Sequence, residues 1–506
     1  MKRNATTWIN IAFAALWLAI MVSSPCLKAT SKYLKWPRES LDEQIENRRL
    51  TPWPDFRKLP AKAWGSSAEA WYDDHFAFRY DIIRFYKALH FEVFKSPVKG
   101  QVPGRGDWVF GRMRLDGGPG DVWPEVEDYM GVVKIDAKMI DDWTTLFEGR
   151  VAWAEAHGIH YLEVLPPMKS AVHPEKMLPM IAAHRRESCR EDLRTALAAS
   201  TAASNVCFLV DSLMAEVASG REVYYEEDHH ENAYGCYCVY RDIVARLREL
   251  WFPALGDFPF YEKDAVPRQV LDRQAPGCWE NADRRLVVSN PEMHVVAYPN
   301  LNIASVNSRF PHGPVCVGGR EGGIYALFGH DSFLRYPFDT WYSKDMANFA
   351  IPVGPGFRRV AMMIFTRFTT PSLEAYISKE LPDVIVEQFS EGRLQFGVVG
   401  KGYCFLDETM RRAAAWSHGK PVSYAALPSG GSVMALAVFD NVRSSPPKRP
   451  VTVELRDGEG KAVSSAQMLP GVRRAVFFGD VPAVGGLHAV IAGGAAETSR
   501  LEFRVR

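Results

Sequence analysis

The sequence predicts an α/β domain, in which helices cover both faces of a β-sheet, followed by a small β-sandwich. Apolar runs of strand length alternate with amphipathic helical patterns between residues 137 and 387, as is typical of α/β folds. Several of these runs end in Gly, Pro or polar residues, where such folds place functional loops. Beyond about residue 415, short apolar runs are separated by Gly, Pro and Ser turns without a helical pattern, which predicts the sandwich.

The predicted elements follow one another in chain order. A helical segment at 68–87 and a turn leading into a strand at 104–110 come first. The alternating part comprises helix 137–157, strand 160–165, helix 190–197, strand 206–211, helix 235–250 and strands 323–328, 360–365 and 382–387. The predicted sandwich strands are 433–439, 451–455, 474–478 and 501–505.

The N-terminus is expected to direct the chain out of the cytoplasm. It begins Met-Lys-Arg and continues into the apolar run 8–22. This run is short for a membrane-spanning helix of about 20 residues and long for the core of a signal peptide. We expect residues 1–24 to be an uncleaved signal anchor, with a cleaved signal peptide as the alternative.

Composition divides the rest of the chain into three segments. Residues 25–65 are rich in Pro, Lys and Arg, and we expect a stalk or linker there. Residues 66–410 are predicted to hold the α/β domain and residues 415–506 the β-sandwich. Lys plus Arg and Asp plus Glu both total 60, so no net charge favours binding to nucleic acid. Eight cysteines are compatible with an oxidising compartment, but their pairing cannot be read from the sequence.

Ser332 is the first candidate catalytic residue. It follows the apolar run 323–328, with a Gly and an Asp between them, as a serine nucleophile does at the tip of a buried strand. A serine hydroxyl is a poor nucleophile until an imidazole takes its proton and a carboxylate orients that imidazole. The segment 226–232 supplies both groups, because Asp228 and His230 are two residues apart and share a face of an extended chain. The three residues predict serine acyl-transfer chemistry.

Two alternatives concern the same segment. His229 is a second candidate base, but it would point away from a pocket that His230 faces. The run of carboxylates and histidines at 226–231 also suggests a zinc site. Catalytic zinc needs about three convergent protein ligands, and consecutive residues rarely converge. We therefore predict no metal and no cofactor.

The chain also contains six short motifs spread over residues 68–390. They are Asp74-His-Phe-Ala-Phe-Arg79, Gly104-Arg-Gly-Asp-Trp-Val-Phe110, Leu165-Pro-Pro-Met-Lys-Ser170, Asp228-His-His-Glu-Asn232, His330-Asp-Ser-Phe333 and Pro382-Asp-Val-Ile-Val-Glu387. In this order they resemble the SGNH-hydrolase-like domain of the periplasmic alginate O-acetyltransferase family and related exopolysaccharide acetylation proteins. The resemblance implies a three-layer α/β/α fold with a permuted triad order, since the Asp-x-His pair precedes the serine.

The resemblance also implies roles for the triad. Asp228 would orient the imidazole, His230 would act as general base and Ser332 as nucleophile. The family pattern is Asp-Thr-His-Trp-Asn, whereas this chain has His229 in place of the Thr and Glu231 in place of the Trp. Loss of the aromatic residue is expected to change how a sugar ring stacks beside the base.

The implied activity is O-acetylation of an exported polysaccharide in the periplasm, with the N-terminal segment anchored in the inner membrane. The implied partners are the polysaccharide, a membrane-bound acyltransferase that supplies the acetyl group, and other polysaccharide secretion proteins. Lys169 and Asn232 lie in the matching motifs and are the candidate substrate-binding residues. The C-terminal β-sandwich is expected to be either a carbohydrate-binding module or a stabilising domain without a ligand.

Two other functions remain open at this point. A carbohydrate acetyl esterase would use the same triad and let water resolve the acyl-enzyme. A polysaccharide-binding scaffold without catalysis is the other alternative, which the changes at His229 and Glu231 leave open.

Overall fold

The structure is a computed structural model that describes residues 8, 10–19, 51–76, 82, 85–86, 89–95, 101–111, 124–226, 229–256, 293–296, 315–318, 323–331, 356–364, 369–377, 381–398, 406–423, 432–439, 449, 451–469, 472–482, 484, 486–492 and 500–505. The chain divides into two compact units. The first comprises residues 1–103 and 274–280, and the second comprises residues 104–273 and 281–506.

The described part of the first unit is mainly helical. Its elements are the helical residues 10–19, a 3₁₀ turn Ala61–Ala63, helix α1 Trp64–His75, a π-helical turn Leu89–Phe94 and the short strand β1 Val102–Pro103. Asp74 is buried in α1, and its Oδ2 accepts hydrogen bonds from the Thr51 amide at 2.8 Å and the Thr51 hydroxyl at 2.6 Å. Thr51, the first residue of the predicted stalk that the structure describes, is therefore hydrogen-bonded to α1. In the described ranges, no helix is both long and apolar enough to cross a membrane.

The second unit is built on a seven-stranded sheet. After the short strand β2 Val109–Phe110, the strands of this sheet are β3 His160–Leu165, β4 Val206–Phe208, β5 Met293–Val296, β6 Val315–Gly318, β7 Ile324–His330, β8 Phe357–Ile364 and β9 Val384–Gln388. The spatial order is β4-β3-β9-β7-β8-β6-β5. The first five strands in this order run parallel, whereas β6 and β5 pair antiparallel at the other edge.

Helices cover both faces of the sheet. They are α2 Glu125–Tyr129, α3 Ala137–Ala156, α4 Lys169–Val172, α5 Pro179–Ala182, α6 Cys189–Leu197, α7 Val210–Ala218, α8 Ala233–Leu250, α9 Thr370–Ile377 and α10 Glu408–His418, with 3₁₀ turns at Pro174–Lys176, Ala203–Asn205 and Glu391–Phe396. The residues Tyr161, Leu165 and Leu327 face a core shared with α3, α9 and α10. On the opposite face, Tyr240 of α8 packs against Phe328 of β7, with ring centroids 6.3 Å apart.

Helices α3 and α10 approach one another closely because α3 carries a glycine at the crossing. A Cβ atom on Gly149 would lie 2.3 Å from the backbone oxygen of Met410. Helix α3 begins at Asp136, whose side chain accepts a hydrogen bond from the Met139 amide at 2.7 Å, as an N-cap residue does.

The C-terminal part of the second unit consists of two antiparallel sheets. Their strands are β10 Lys420–Val422, β11 Ser432–Val438, β12 Val451–Arg456, β13 Ala462–Met468, β14 Arg474–Pro482, β15 His488–Ile491 and β16 Arg500–Val505. One sheet has the order β10-β16-β11-β14 and the other β13-β12-β15. Along β11 the side chains alternate between two cores: Met434 and Leu436 face the α/β core, whereas Ala435 and Ala437 face the core between the two sheets.

The predicted fold class is confirmed: the sheet with helices on both faces precedes additional antiparallel sheets. The predicted strand 206–211 is too long, because β4 ends at Phe208 and α7 begins at Val210. The backbone turns at Leu209, with φ −92° and ψ 6°, while the apolar run continues through the turn. Helix α10 and strands β10, β13 and β15 were not predicted.

Candidate active site

The strand ends of β3, β9 and β7 form the candidate site. These strands are parallel neighbours in the sheet, so their carboxyl ends meet at the same edge, where α/β folds bind ligands. The segment 166–170, which includes the first two residues of α4, follows β3 and is called the β3 loop here. The segment 389–391 follows β9, and Asp331 follows β7. The functional side chains predicted from the sequence are attached to these loops or to the segment that packs on them.

Asp331 fixes the end of β7. Its amide donates to the Gln388 carbonyl at 3.2 Å. Its Oδ1 accepts from the Gln388 side-chain amide at 3.0 Å and its Oδ2 from the Ser390 backbone amide at 2.9 Å, while the Arg393 Nε lies 3.5 Å from Oδ2. The carboxylate is buried and thus ties the ends of β7 and β9 together. Ser332, the next residue, lies outside the described residues, so its role as nucleophile stays a prediction.

Glu391 joins the loop after β9 to the loop after β3. Its Oε1 accepts from the Met168 amide at 2.7 Å, and both carboxylate oxygens accept from Arg190 Nη1, at 2.9 and 3.0 Å. The Glu391 amide in turn donates to the Pro166 carbonyl at 3.0 Å. Burial raises the pKa of Glu391 to about 7, although the Arg190 guanidinium opposes this rise. The two loops are therefore joined by two hydrogen bonds from backbone amides, and a buried ion pair with Arg190 of α6 holds the Glu391 carboxylate.

Glu125 holds the same β3 loop from the other side. Its Oε1 accepts from the Ser170 amide and its Oε2 from the Gly111 amide, both at 2.6 Å. The side chain is buried, and its two oxygens link α2, the β3 loop and the chain that follows β2.

The segment that carries His230 packs on the β3 loop. The Tyr224 hydroxyl donates to the Pro167 carbonyl at 2.5 Å, and Tyr224 forms an antiparallel bridge with Glu231. The Tyr225 amide donates to the His230 carbonyl at 3.2 Å. These bonds hold Tyr225 and His230 beside one another and attach this segment to the β3 loop, which also contacts the segment after β9.

Asn232 ends this segment and begins helix α8. Its Oδ1 accepts from the Gly235 amide at 2.9 Å, while its Nδ2 donates to the Glu222 carbonyl at 2.8 Å. A Cβ atom on Gly235 would lie 2.0 Å from the Val223 carbonyl oxygen, so this close packing of α8 on the segment requires glycine. Asn232 is buried and caps the helix, and its predicted contact with substrate stays a prediction.

The two histidines of the segment differ in environment. His230 is buried, with 8% of its surface exposed, whereas His229 is exposed. Their ring centroids are 3.9 Å apart. This difference agrees with the expected alternation of side chains, in which His230 points inward. Asp228 lies outside the described residues, so the Asp228–His230 pair and the choice of His230 as base stay predictions.

Lys169 is the first residue of α4 and is fully buried. Its Nζ donates to the Val109 carbonyl at 2.7 Å and to the Glu226 carbonyl at 2.6 Å. The lysine therefore links strand β2 to the segment before Asp228 through two backbone oxygens. Its predicted role in substrate binding stays a prediction.

Sequence reasoning did not single out the residues that hold the strand ends. Asp331 stands beside Ser332, and its position at a strand end was an available signal. Arg190 and Glu391 are 201 residues apart, and no local pattern in the sequence links them. Glu125 carries no sequence signal beyond its charge.

Across the residues that the structure describes, no group of His, Cys, Asp and Glu is arranged to hold a metal ion. Four described cysteines, Cys189, Cys207, Cys236 and Cys238, carry thiol groups and are buried or half-buried. Burial raises the pKa of each of these thiols, which keeps them in the unreactive protonated form.

The sheet order and the loops at its carboxyl edge define an α/β domain. Residues 127–281 match the family model described as the SGNH hydrolase-like domain of the acetyltransferase AlgX. This match confirms the predicted resemblance and covers Lys169, Asp228, His230 and Asn232. This region of the chain is therefore similar to an SGNH hydrolase-like acetyltransferase domain.

Solved structures that are similar to this chain include those of three bacterial proteins. AlgX of Pseudomonas aeruginosa is 16% identical over 81% of this chain and 94% of its own, with a TM-score of 0.33. The O-acetyltransferase domain of Pseudomonas putida AlgJ is 15% identical over 62% of this chain and 99% of its own, with a TM-score of 0.33. Bacillus cereus PatB1 is 13% identical over 57% of this chain and 95% of its own, with a TM-score of 0.31. No curated protein sequence matches the chain.

Proposed function

We propose that the protein is a serine-dependent O-acetyltransferase that moves an acetyl group onto hydroxyls of an exported polysaccharide. The observation that carries this proposal is the acetyltransferase family match over residues 127–281. The geometry supports it, because hydrogen bonds connect the segment that contains His230 to the β3 loop, the β3 loop to the segment after β9, and that segment to Asp331. Asp331 is the residue before Ser332.

The first half of the reaction loads the enzyme. Ser332 Oγ attacks the carbonyl carbon of an acetyl donor while His230 takes the serine proton. The bond between the acetyl carbon and the donor atom then breaks, and His230 returns the proton to the leaving group. Asp228 orients the imidazole throughout. The product is an acetyl ester on Ser332.

The second half transfers the acetyl group. A sugar hydroxyl attacks the acetyl carbon, His230 takes the hydroxyl proton, and the bond to Ser332 Oγ breaks as the serine regains a proton. Transfer exceeds hydrolysis only where the sugar hydroxyl occupies the place of water. Lys169 and Asn232 are the candidate substrate-binding residues predicted from the sequence, and both are buried. Asn232 lies two residues after His230, and Lys169 donates a hydrogen bond to the Glu226 carbonyl.

The location and partners follow from the same proposal. The protein would act in the periplasm, with its N-terminal segment in the inner membrane. A membrane-bound acyltransferase would supply the acetyl group, and other polysaccharide secretion proteins would be neighbours. A fusion of a periplasm-dependent reporter to the C-terminus, compared with the same fusion lacking residues 1–24, tests this location: only the longer fusion is expected to be active.

Acetyl transfer tests the proposed function. The full chain, purified in detergent, is incubated with a chromogenic acetyl ester and with short uronate or neutral oligosaccharides, and the sugars are analysed by mass spectrometry. We expect acetylated sugar from the wild type and none from Ser332→Ala. Ser219→Ala is the matched control, because the Ser219 hydroxyl bonds only the nearby Glu216 carbonyl among the contacts described, and it should behave as the wild type.

The other outcomes identify the alternatives. Ester hydrolysis that no sugar diverts, lost in Ser332→Ala, would identify an acetyl esterase. Oligosaccharide binding without transfer or hydrolysis in the wild type would identify a scaffold and contradict the proposal.

A further inference from the structure

Lys169 has an environment unlike that of a lysine on a solvated loop. It is 0% exposed, and Nζ donates to the carbonyl oxygens of Val109 and Glu226 at 2.7 and 2.6 Å. The ammonium also lies 4.7 Å from the ring centre of Trp108 and 5.2 Å from that of Phe110. Removing an ammonium group from water is costly unless other groups replace its hydration, so the carbonyls and aromatic faces determine where this group lies.

The Glu226 carbonyl is the point at which Lys169 acts on the candidate site. This oxygen accepts a second hydrogen bond, from the Val109 amide at 2.8 Å. It lies two residues before Asp228 and four before His230 in the sequence. The His230 carbonyl in turn accepts from the Tyr225 amide at 3.2 Å. The described backbone before and after residues 227–228 is thus hydrogen-bonded, and at Glu226 one donor is a charged group, which makes the stronger type of hydrogen bond.

We propose that Lys169 is a positioning residue that fixes the Asp228–His230 segment through the Glu226 carbonyl and does not contact the substrate. This inference rests on the proposed function for its catalytic consequence. It differs from the role predicted from the sequence, in which Lys169 binds substrate. A substrate would reach the ammonium only by displacing Val109 or Glu226, since both are hydrogen-bonded to it.

The two roles predict different kinetics. A group that binds substrate equally in the ground state and the transition state changes KM, whereas a group that places the base changes kcat. A displacement of about 1 Å in catalytic geometry can lower a rate about 100-fold. We expect Lys169→Met to lower kcat about 10- to 100-fold and to leave KM within about twofold of the wild-type value.

Two further variants make the comparison specific. Lys169→Arg keeps a buried cation with N–H donors and should recover part of the lost kcat. Lys176→Met is the matched control, because Lys176 Nζ lies 4.9 Å from the same Trp108 ring but pairs with Glu222 at 2.7 Å. It should retain the wild-type kcat and KM. Circular dichroism establishes that each variant is folded, and if Lys169→Met is not, Lys169→Arg is used in its place.

Hydrogen exchange tests the contact without any activity. We expect the amides of residues 224–232 in the full chain to exchange faster in Lys169→Met than in the wild type or in Lys176→Met. Unchanged exchange in this segment, or a raised KM with unchanged kcat, would overturn the inference. Absence of all acetyl transfer in the wild type would defeat the proposed function instead, and the exchange result would still decide whether Lys169 holds the segment.

Discussion

Buried carboxylates at the candidate site accept hydrogen bonds from backbone amides of the strand-end loops. Asp331, Glu391 and Glu125 each accept at least one hydrogen bond from a backbone amide in a strand-end loop. A buried donor left without its acceptor costs about 1–3 kcal/mol, so each carboxylate favours one loop conformation. The conformation of the strand-end loops therefore depends on these buried carboxylates.

Asp331→Asn tests this dependence at the end of β7. The asparagine Oδ1 can replace one carboxylate oxygen, but its amide group would face either the Ser390 amide or the Gln388 side-chain amide, both donors. We expect kcat to fall about 10- to 100-fold through displacement of Ser332, with KM little changed. Steady-state kinetics of ester hydrolysis measure both. A wild-type kcat in a folded variant would contradict the positioning role of Asp331.

Strands β3 and β9 are joined by a cluster of buried polar side chains. Glu163 and Glu387 are register partners on these strands. The Tyr161 hydroxyl lies 2.8 Å from Glu163 Oε2 and 2.5 Å from Glu387 Oε2, and Arg150 Nε lies 3.9 Å from Glu387 Oε2. One hydroxyl proton cannot satisfy two carboxylates fully. Burial first, and Glu387 second, raise the pKa of Glu163 well above its ordinary value.

This cluster predicts a pH-dependent stability. Since the folded protein holds a proton on Glu163 that the unfolded chain releases near pH 4.5, the free energy of unfolding falls as pH rises from that value through the raised pKa. Glu163→Gln removes this dependence. We expect the variant to gain stability relative to the wild type as the pH rises from 5 to 8.

Urea unfolding at the two pH values measures this difference. Glu459→Gln, on an exposed turn, is the matched control and should follow the wild type. If the free energies of unfolding of Glu163→Gln and the wild type differ by the same amount at pH 5 and at pH 8, the protonated state of Glu163 is contradicted.

At the scale of the whole second unit, β11 takes part in two hydrophobic cores. Leu436 packs with the α/β core, whereas its neighbours Ala435 and Ala437 pack between the two C-terminal sheets. Arg474 of β14 also donates to the Glu155 carbonyl in α3 at 2.7 Å. The C-terminal sheets are thus packed on the α/β part, and the two are expected to unfold together.

Leu436→Ala tests this coupling. The substitution removes a side chain that is 8% exposed, and such a change typically costs about 2–5 kcal/mol. We expect a lower midpoint in one shared transition, seen by calorimetry and by near-ultraviolet circular dichroism. Two separated transitions, with only one moved by the substitution, would contradict a shared core.

Local patterns predicted the elements whose burial is continuous. Strand β3 coincides with the predicted range 160–165 because the apolar run and the strand begin and end together. Helix α7 was not predicted, since the apolar run from Val206 continues through the turn at Leu209. Periodicity does not separate a short buried strand from the first turn of a buried helix.

The sequence offers candidates for the reactive residues of the site, but it does not reveal the residues that hold them in place. The residues Asp228, His230 and Ser332 stand in recognisable motifs. Lys169, by contrast, has backbone carbonyls as partners, 60 and 57 residues away. Any residue offers a carbonyl, so no side-chain pattern marks such a contact.

Acetylation of Ser332 by a donor ester, in the absence of an acceptor, tests serine-dependent acyl transfer. The full chain is mixed with a chromogenic acetyl ester without acceptor, quenched rapidly, digested and mapped by mass spectrometry. We predict one acetyl group on the peptide that contains Ser332, formed in the wild type, absent in Ser332→Ala and strongly slowed in His230→Ala. Acetylation of another residue, or ester turnover by Ser332→Ala at the wild-type rate, would contradict the account.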